Sequence, residues 1–192
     1  DEEICEVDSD KATLAIPAEK AGIITWKVEE ITWAEIFPLW QNELWPERPK
    51  IRSFTTMINS EDIDMDIQRK AQGNFGFYNG VFFGVKTTDT GQVIACNSGH
   101  QCSRTLFRSR GLYVYPEFTG RGIAHSLLAY TAKFAQDNGF EKIWSLPTEK
   151  ALPIYNQVGY ETMGPVEDWE SYEKADGEIV MRRNAYAEMQ LI

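Results

Sequence analysis

"PEFTGRGIAHSLL", residues 116–128, sets a glycine-flanked arginine at the mouth of a helical pattern. Ahead of it, "TLFRSRGLYVY" alternates in polarity and is rich in β-formers, which predicts a long strand over 105–115. Behind it, the spacing of Ile123, Leu127, Thr131 and Phe134 predicts a helix from about Arg121 to Asn138, stopped by Gly139. A strand, a turn of bare backbone and a helix N-terminus make an anion-binding corner. The first helical turn leaves N–H groups unpaired and carries partial positive charge, and glycine lets an oxyanion come close.

Outward from that corner the chain keeps alternating between strand and helix signals. "GIITWKVEEIT" (22–32) reads as a strand and "WAEIFPLWQNELW" (33–45) as a helix. Thr32 is its N-cap, Glu35 completes a capping box, and Pro38 is placed to kink it. Ser60 caps a second helix running to about Gln72. "GNFGFYNGVFFGVKT" (73–87) and "GQVIACNSG" (91–99) are strands joined at a "TDTG" hairpin. "KIWSLP" (142–147) is a short strand, and "TEKALPIYNQVGY" (148–160) a short helix with Pro153 in its first turn. The tail, "YETMGPVEDWESYEK" and "EIVMRRNAYAEM", turns at Asp176-Gly177. This order predicts a mixed sheet with helices on its faces.

At 192 residues, with 43% apolar residues and six Trp, the chain suits one well-packed domain with an appendage. No stretch is apolar for long enough to span a membrane. Three cysteines without metal or framework spacing (Cys5, Cys96, Cys102) suit a reducing, cytoplasmic compartment, with Cys96 and Cys102 as packing residues. Two histidines, His100 and His125, speak against a His-rich metal site. The net charge of −10 speaks against a nucleic-acid surface. Within 101–125, however, Arg104, Arg108, Arg110 and Arg121 stand against Glu117 alone, a local +3. That is either a basic patch that gathers an anionic ligand or a solvated strand edge.

The segment from "LYVYPEFTGRG" to "YNQVGYE" resembles the core of the GCN5-related N-acetyltransferase (GNAT) superfamily. The family's loop reads Arg or Gln, two residues, Gly, one residue, Gly or Ala; here it is Thr119-Gly120-Arg121-Gly122-Ile123-Ala124. Its second signature is met by Ala151, Tyr155, Gly159 and Tyr160. The resemblance covers about residues 25–185, with the elements in the family order. It implies an α/β (α+β) fold: a mixed, mostly antiparallel sheet, about four helices and two central strands that splay apart.

The resemblance also implies acetyl-coenzyme A as co-substrate and no metal. Its pyrophosphate would lie on the N–H groups of Gly120, Arg121, Gly122, Ile123, Ala124 and His125. Its pantetheine arm would pair with Leu112, Tyr113 and Val114 like an added strand. Thr148 falls where the family often places a coenzyme-contacting Asn. Tyr155 falls at the position of the general acid, and a backbone N–H near Val114 would meet the oxyanion. Thr119 departs from the pattern, and its hydroxyl could cap the turn. The base is left open among Glu117, Glu149, Glu167, Asp168 and Glu170.

The implied acceptor is a primary amine, on a small molecule or a peptide, approaching between the first helices and the last hairpin. Those aromatic and acidic stretches either suit a cationic amine or are core aromatics beside a solvated acidic surface. No nucleic acid or membrane is an expected partner, and the expected state is a monomer or homodimer. Alternative readings are a catalytically silent acyl-coenzyme A-binding module and a lipoyl-carrier-derived fragment. The latter arises because residues 1–30 resemble part of a lipoyl-domain hairpin, "EVDSDKAT" matching its motif with Lys11 as the modified lysine. Residues 1–23 therefore read as an extension and 24–192 as the acetyltransferase domain. The span 1–21 carries −5, half the net charge.

Overall fold

A computed structural model describes residues 13–16, 24–46, 48, 51, 80–174 and 176–192, with the side chains of 13–16, 24, 25 and 169–173 left aside. One sheet organises the chain. Its strands are β1 (Thr13–Ile16), β2 (Ile24–Ile31), β3 (Val81–Thr87), β4 (Val93–Gln101), β5 (Leu106–Val114), β6 (Lys142–Ser145), β7 (Glu161–Thr162) and β10 (Ala187–Gln190). They lie in the order β1-β2-β3-β4-β5-β6-β10-β7. Among the described strands, only β5 and β6 run parallel. Their crossover is the helix α2 (Ile123–Asp137), as a parallel pair requires. A separate hairpin joins β8 (Glu167–Glu173) to β9 (Ile179–Asn184). This is the mixed, mostly antiparallel sheet that the sequence predicts.

α2 packs on one face of the sheet. Ile123, Leu127, Leu128, Thr131, Ala132 and Ala135 are buried, and Phe134 is half-buried. They meet Trp26, Phe83, Val85, Ile94 and Ala95 on one side and Phe107 and Ile143 on the other. On the opposite face lies α1 (Trp33–Leu39), capped as predicted: Thr32 and Glu35 form a complete capping box. Lys86 bridges Glu35 at 2.8 Å and Glu29 at 2.9 Å. These contacts and the cap hold the Glu35 carboxyl down at about 2.

Pro38 lies in α1, and a π-helical turn follows at Trp40–Leu44, closed by the Trp45 N–H donating to the Trp40 carbonyl. The wider turn lets Trp40 and Trp45 share one cluster with Ile36, Leu39 and Phe82. α3 (Leu152–Val158) ends on Gly159 at φ +111°, and Asp176-Gly177 forms the expected turn.

One expectation changes. "EIVMRRNAYAEM" is two strands: β9 pairs with β8, the chain breaks at Ala185-Tyr186, and β10 then joins the main sheet beside β6. The helix at 60–72 and the modified Lys11 lie outside the described residues. β1 pairs with β2, Thr13 opposite Lys27 and Ile16 opposite Ile24.

Candidate active site

The site begins with a fault in the β4–β5 ladder. Tyr113 lies opposite Cys96 and Arg110 opposite Ser98, so Gly111 and Leu112 together oppose Asn97. The extra residue is a bulge, and Gly111 takes the positive φ of +76° that it needs. The Trp40 indole fills the notch: its Nε1 donates to the Gly111 carbonyl at 2.9 Å.

Beyond the bulge, the Tyr115 N–H donates to the Ile94 carbonyl at 3.0 Å. Strand alternation then turns the peptide groups of Val114 away from β4. They face a gap. β6 pairs with β5 only at Leu106↔Lys142, Phe107↔Ile143 and Arg108↔Trp144. The last tie is Ser145 Oγ donating to the Ser109 carbonyl at 2.9 Å. From there β5 runs on to Val114 without β6 beside it. A narrow cavity of about 90 Å³ enters here, reaching from Ser109–Leu112 across to Thr148, Ala151 and Tyr155.

The second half of the site is the turn that follows β5. A 3₁₀ turn at Pro116–Phe118 leads into Gly120 (φ +74°) and Gly122 (φ +78°), and Gly122 is the N-cap of α2. No side chain caps that helix. Thr119 directs its hydroxyl backward to the Pro116 carbonyl at 2.8 Å, so it closes the preceding turn, not the helix. Arg121 likewise turns back: its Nη2 donates to the Glu117 carbonyl at 3.3 Å, over the Phe118 ring. Nothing stands within 4 Å of where a Cβ on Gly120 would lie. The corner is bare backbone at a helix N-terminus, with His125 exposed on the first turn.

Tyr155 sits on α3 and is buried, its hydroxyl 3.3 Å from Ser145 Oγ. Burial raises its phenol above the ordinary value of 10, so it holds its proton. Tyr160 packs edge-on against it at 5.0 Å. Thr148 bridges to Asn184 and closes the first turn before α3. The Asn184 Nδ2 donates to the Leu146 carbonyl at 2.7 Å, which fixes the amide's orientation. Its Oδ1 is buried beside the cavity and has no hydrogen-bond partner.

The basic patch does not form as one surface. Arg104 is exposed in the turn before β5, and Arg121 lies in the glycine turn after it. Arg108 and Arg110 are 2% and 5% exposed. Their two-residue spacing puts both on the α1 face of β5. Arg108 stacks on Trp144 at 4.5 Å, and Arg110 lies over both Trp40 and Trp45, at 4.9 and 4.6 Å.

Among the acids, Glu117, Glu167 and Asp168 are exposed, and Glu149 pairs with Arg183 at 3.2 Å. The side chain of Glu170 lies outside the described residues. Sequence reasoning missed Glu43, on the π-turn, which accepts from the Tyr113 hydroxyl at 3.2 Å. Desolvation and Glu43 push that phenol up to about 12. Cys96 and Cys102 are buried with their thiols pushed up, Cys102 to about 12, which fits packing residues. Among the described residues, no group of three His, Cys, Asp or Glu could hold a metal ion. No helix among them is long and apolar enough to cross a membrane.

Residues 79–162 match the acetyltransferase (GNAT) domain family. Solved structures share the fold at low identity. A phosphinothricin acetyltransferase of the GNAT superfamily from Sinorhizobium meliloti, in complex with AcCoA, is 13% identical, with a TM-score of 0.57 over 86% of this chain and 88% of its own. The ribosomal-protein-S18-alanine N-acetyltransferase from Escherichia coli is 12% identical, with a TM-score of 0.55 over 86% and 94%. An acetyltransferase of the GNAT family from Staphylococcus aureus is 12% identical, with a TM-score of 0.52 over 87% and 99%. No curated protein matches the sequence. The match to the GNAT domain family thus covers residues 79–162, and the fold is the one these solved acetyltransferases share.

Proposed function

We propose that the protein transfers an acetyl group from acetyl-coenzyme A to a primary amine by direct attack on the thioester. The observation that carries this reading is the gap past Arg108, where β5 runs on without β6. A pantetheine arm needs an open strand edge, and Leu112, Tyr113 and Val114 would supply it. The uncapped N-terminus of α2 and the open space at Gly120 suit a pyrophosphate resting on the N–H groups from Gly120 to His125. Thr148 would contact the arm from the other wall of the cleft.

In the reaction the amine nitrogen forms a bond to the acetyl carbon and the carbon–sulfur bond breaks. The N–H of Val114 would meet the oxyanion of the tetrahedral intermediate. Tyr155 would deliver its proton to the departing thiolate. The amine must arrive neutral, so it sheds one proton before attack and another as the amide forms. Three features support a noncovalent route over an acyl-cysteine: both described thiols are buried, both are pushed up, and neither lines the cavity.

The deciding experiment is a screen of primary amines with acetyl-coenzyme A, following free thiol. Amine-dependent thiol release with an acetylated product supports the assignment. Binding of acetyl-coenzyme A without turnover on any amine would favour a silent acyl-coenzyme A-binding module, the reading that Thr119 motivates. A lipoyl mass on Lys11 after incubation with a lipoate ligase would favour the carrier-derived fragment.

A further inference from the structure

The splayed edge and the phenol meet at one small side chain. Ser145 is the last residue of β6 and is 3% exposed. Its Oγ donates to the Ser109 carbonyl at 2.9 Å and lies 3.3 Å from the Tyr155 hydroxyl. Ser109, Ser145 and Tyr155 all line the cavity at the splay. A serine hydroxyl has one proton and two lone pairs, so Ser145 cannot donate to both neighbours at once. While its proton rests on the Ser109 carbonyl, the phenol donates to Ser145 Oγ. When that proton turns toward Tyr155, the phenol oxygen accepts it.

We propose that Ser145 is a positioning residue for Tyr155: it holds the phenol in place before acetyl transfer and donates to the phenolate afterwards. The inference rests on the acetyltransferase reading above and adds a residue to it. As the carbon–sulfur bond breaks, sulfur keeps the electron pair and takes the Tyr155 proton. The phenolate left behind accepts from Ser145, whose own O–H bond stays intact. The proton shed as the amide forms returns to the phenolate through solvent, so the protein ends the cycle unchanged.

The surroundings of the phenol make such a donor necessary. Tyr155 is 3% exposed and shares one apolar cluster with Phe107, Leu128, Ile143 and Ala187. A phenolate there is cut off from water, and a buried charge without a hydrogen bond is costly. Ser145 is placed to supply that bond without any rearrangement. Its backbone follows directly on the last ladder pair of β5 and β6, Arg108↔Trp144, which fixes where Oγ stands. The change of partner needs only the hydroxyl proton to rotate about its C–O bond; no heavy atom moves.

The test is a double-mutant cycle over Ser145→Ala and Tyr155→Phe, read by kcat on the best amine of the screen and by Tm of the ligand-free protein. S145A alone should lower kcat roughly 10- to 100-fold, the effect of one hydrogen bond to a charged group, with acetyl-coenzyme A affinity nearly unchanged. In the Y155F background the same change should leave kcat almost where it was. Tm should behave alike: S145A should cost less in Y155F, where only the Ser109 bond is left to lose. An equal loss of kcat in both backgrounds overturns the proposal, as does S145A with wild-type kcat, or additive Tm shifts. Should S145A not fold, proton NMR of the wild type decides alone. A slowly exchanging phenol proton with a nuclear Overhauser contact to the Ser145 β-protons, lost in Y155F, supports the pairing; no such proton in the wild type overturns it. Wild-type turnover, measured in parallel, separates the two claims. With turnover present and the cycle additive, only the Ser145 role falls; with acetyl-coenzyme A bound but no amine acetylated, the acetyltransferase reading falls and takes the Ser145 role with it.

Discussion

Gly111 is where conformation and packing can be separated. Replacing it with alanine imposes a side chain at φ +76° and builds a Cβ 2.3 Å from Trp40 Cζ2 and 2.4 Å from Cε2. The left-handed backbone alone costs an alanine about 1–2 kcal/mol. Trp40 cannot yield cheaply, being fully buried, hydrogen-bonded to the Gly111 carbonyl and stacked on Arg110. Overpacking there adds about 1–3 kcal/mol.

Gly120 is the control. Its φ is nearly the same, +74°, but nothing lies within 4 Å of its Cβ position. For a chain of this size each kcal/mol moves Tm by about 3 °C. Gly120→Ala should therefore lower Tm by roughly 3–6 °C and Gly111→Ala by roughly 6–15 °C, read by thermal unfolding followed by circular dichroism. Equal shifts in the two variants would refute the claim that Trp40 is wedged into the bulge.

Four other outcomes follow from the same geometry. Tyr155→Phe should lower kcat by about 100-fold or more while leaving acetyl-coenzyme A affinity unchanged, measured by steady-state kinetics and calorimetry. Because burial raises the Tyr155 phenol, the acid form persists to higher pH, and the rate should climb as the amine deprotonates with no falling limb below about pH 10. Gly122→Glu puts bulk and negative charge at a position of φ +78° in the glycine turn, and should abolish acetyl-coenzyme A binding by calorimetry. Glu35→Gln should destabilise the protein by up to about 1 kcal/mol at neutral pH, since the ion pair is a third exposed. The Glu35 contribution is complete above its ordinary pKa of 4.5 and fades as pH falls toward 2, so wild type and variant should converge in acid unfolding curves.

Local chemistry was legible in the sequence wherever a few adjacent residues decide the backbone. Thr32 and Glu35 announce the α1 cap, Gly120 and Gly122 the corner, and Asp176-Gly177 the last turn, because each depends on side chains within one helical turn. The gap was not legible from residues alone, because nothing in "KIWSLP" says that pairing stops after Trp144; that depends on where Ser145 meets Ser109. The arginines were misjudged for a similar reason. Counting charge along 101–125 joined Arg108 and Arg110 to Arg104 and Arg121, whereas alternation separates them onto the α1 face of β5. The break at Ala185-Tyr186 was hidden because no Gly or Pro marks it within "EIVMRRNAYAEM".

Amide hydrogen exchange with and without saturating acetyl-coenzyme A examines the splayed edge itself. Slowed exchange at Leu112, Val114 and the first turn of α2, with little change on β2 and β3, is the expected pattern. Tight binding that leaves those amides exchanging as before would show that the coenzyme sits elsewhere and that the opening between β5 and β6 is not its site.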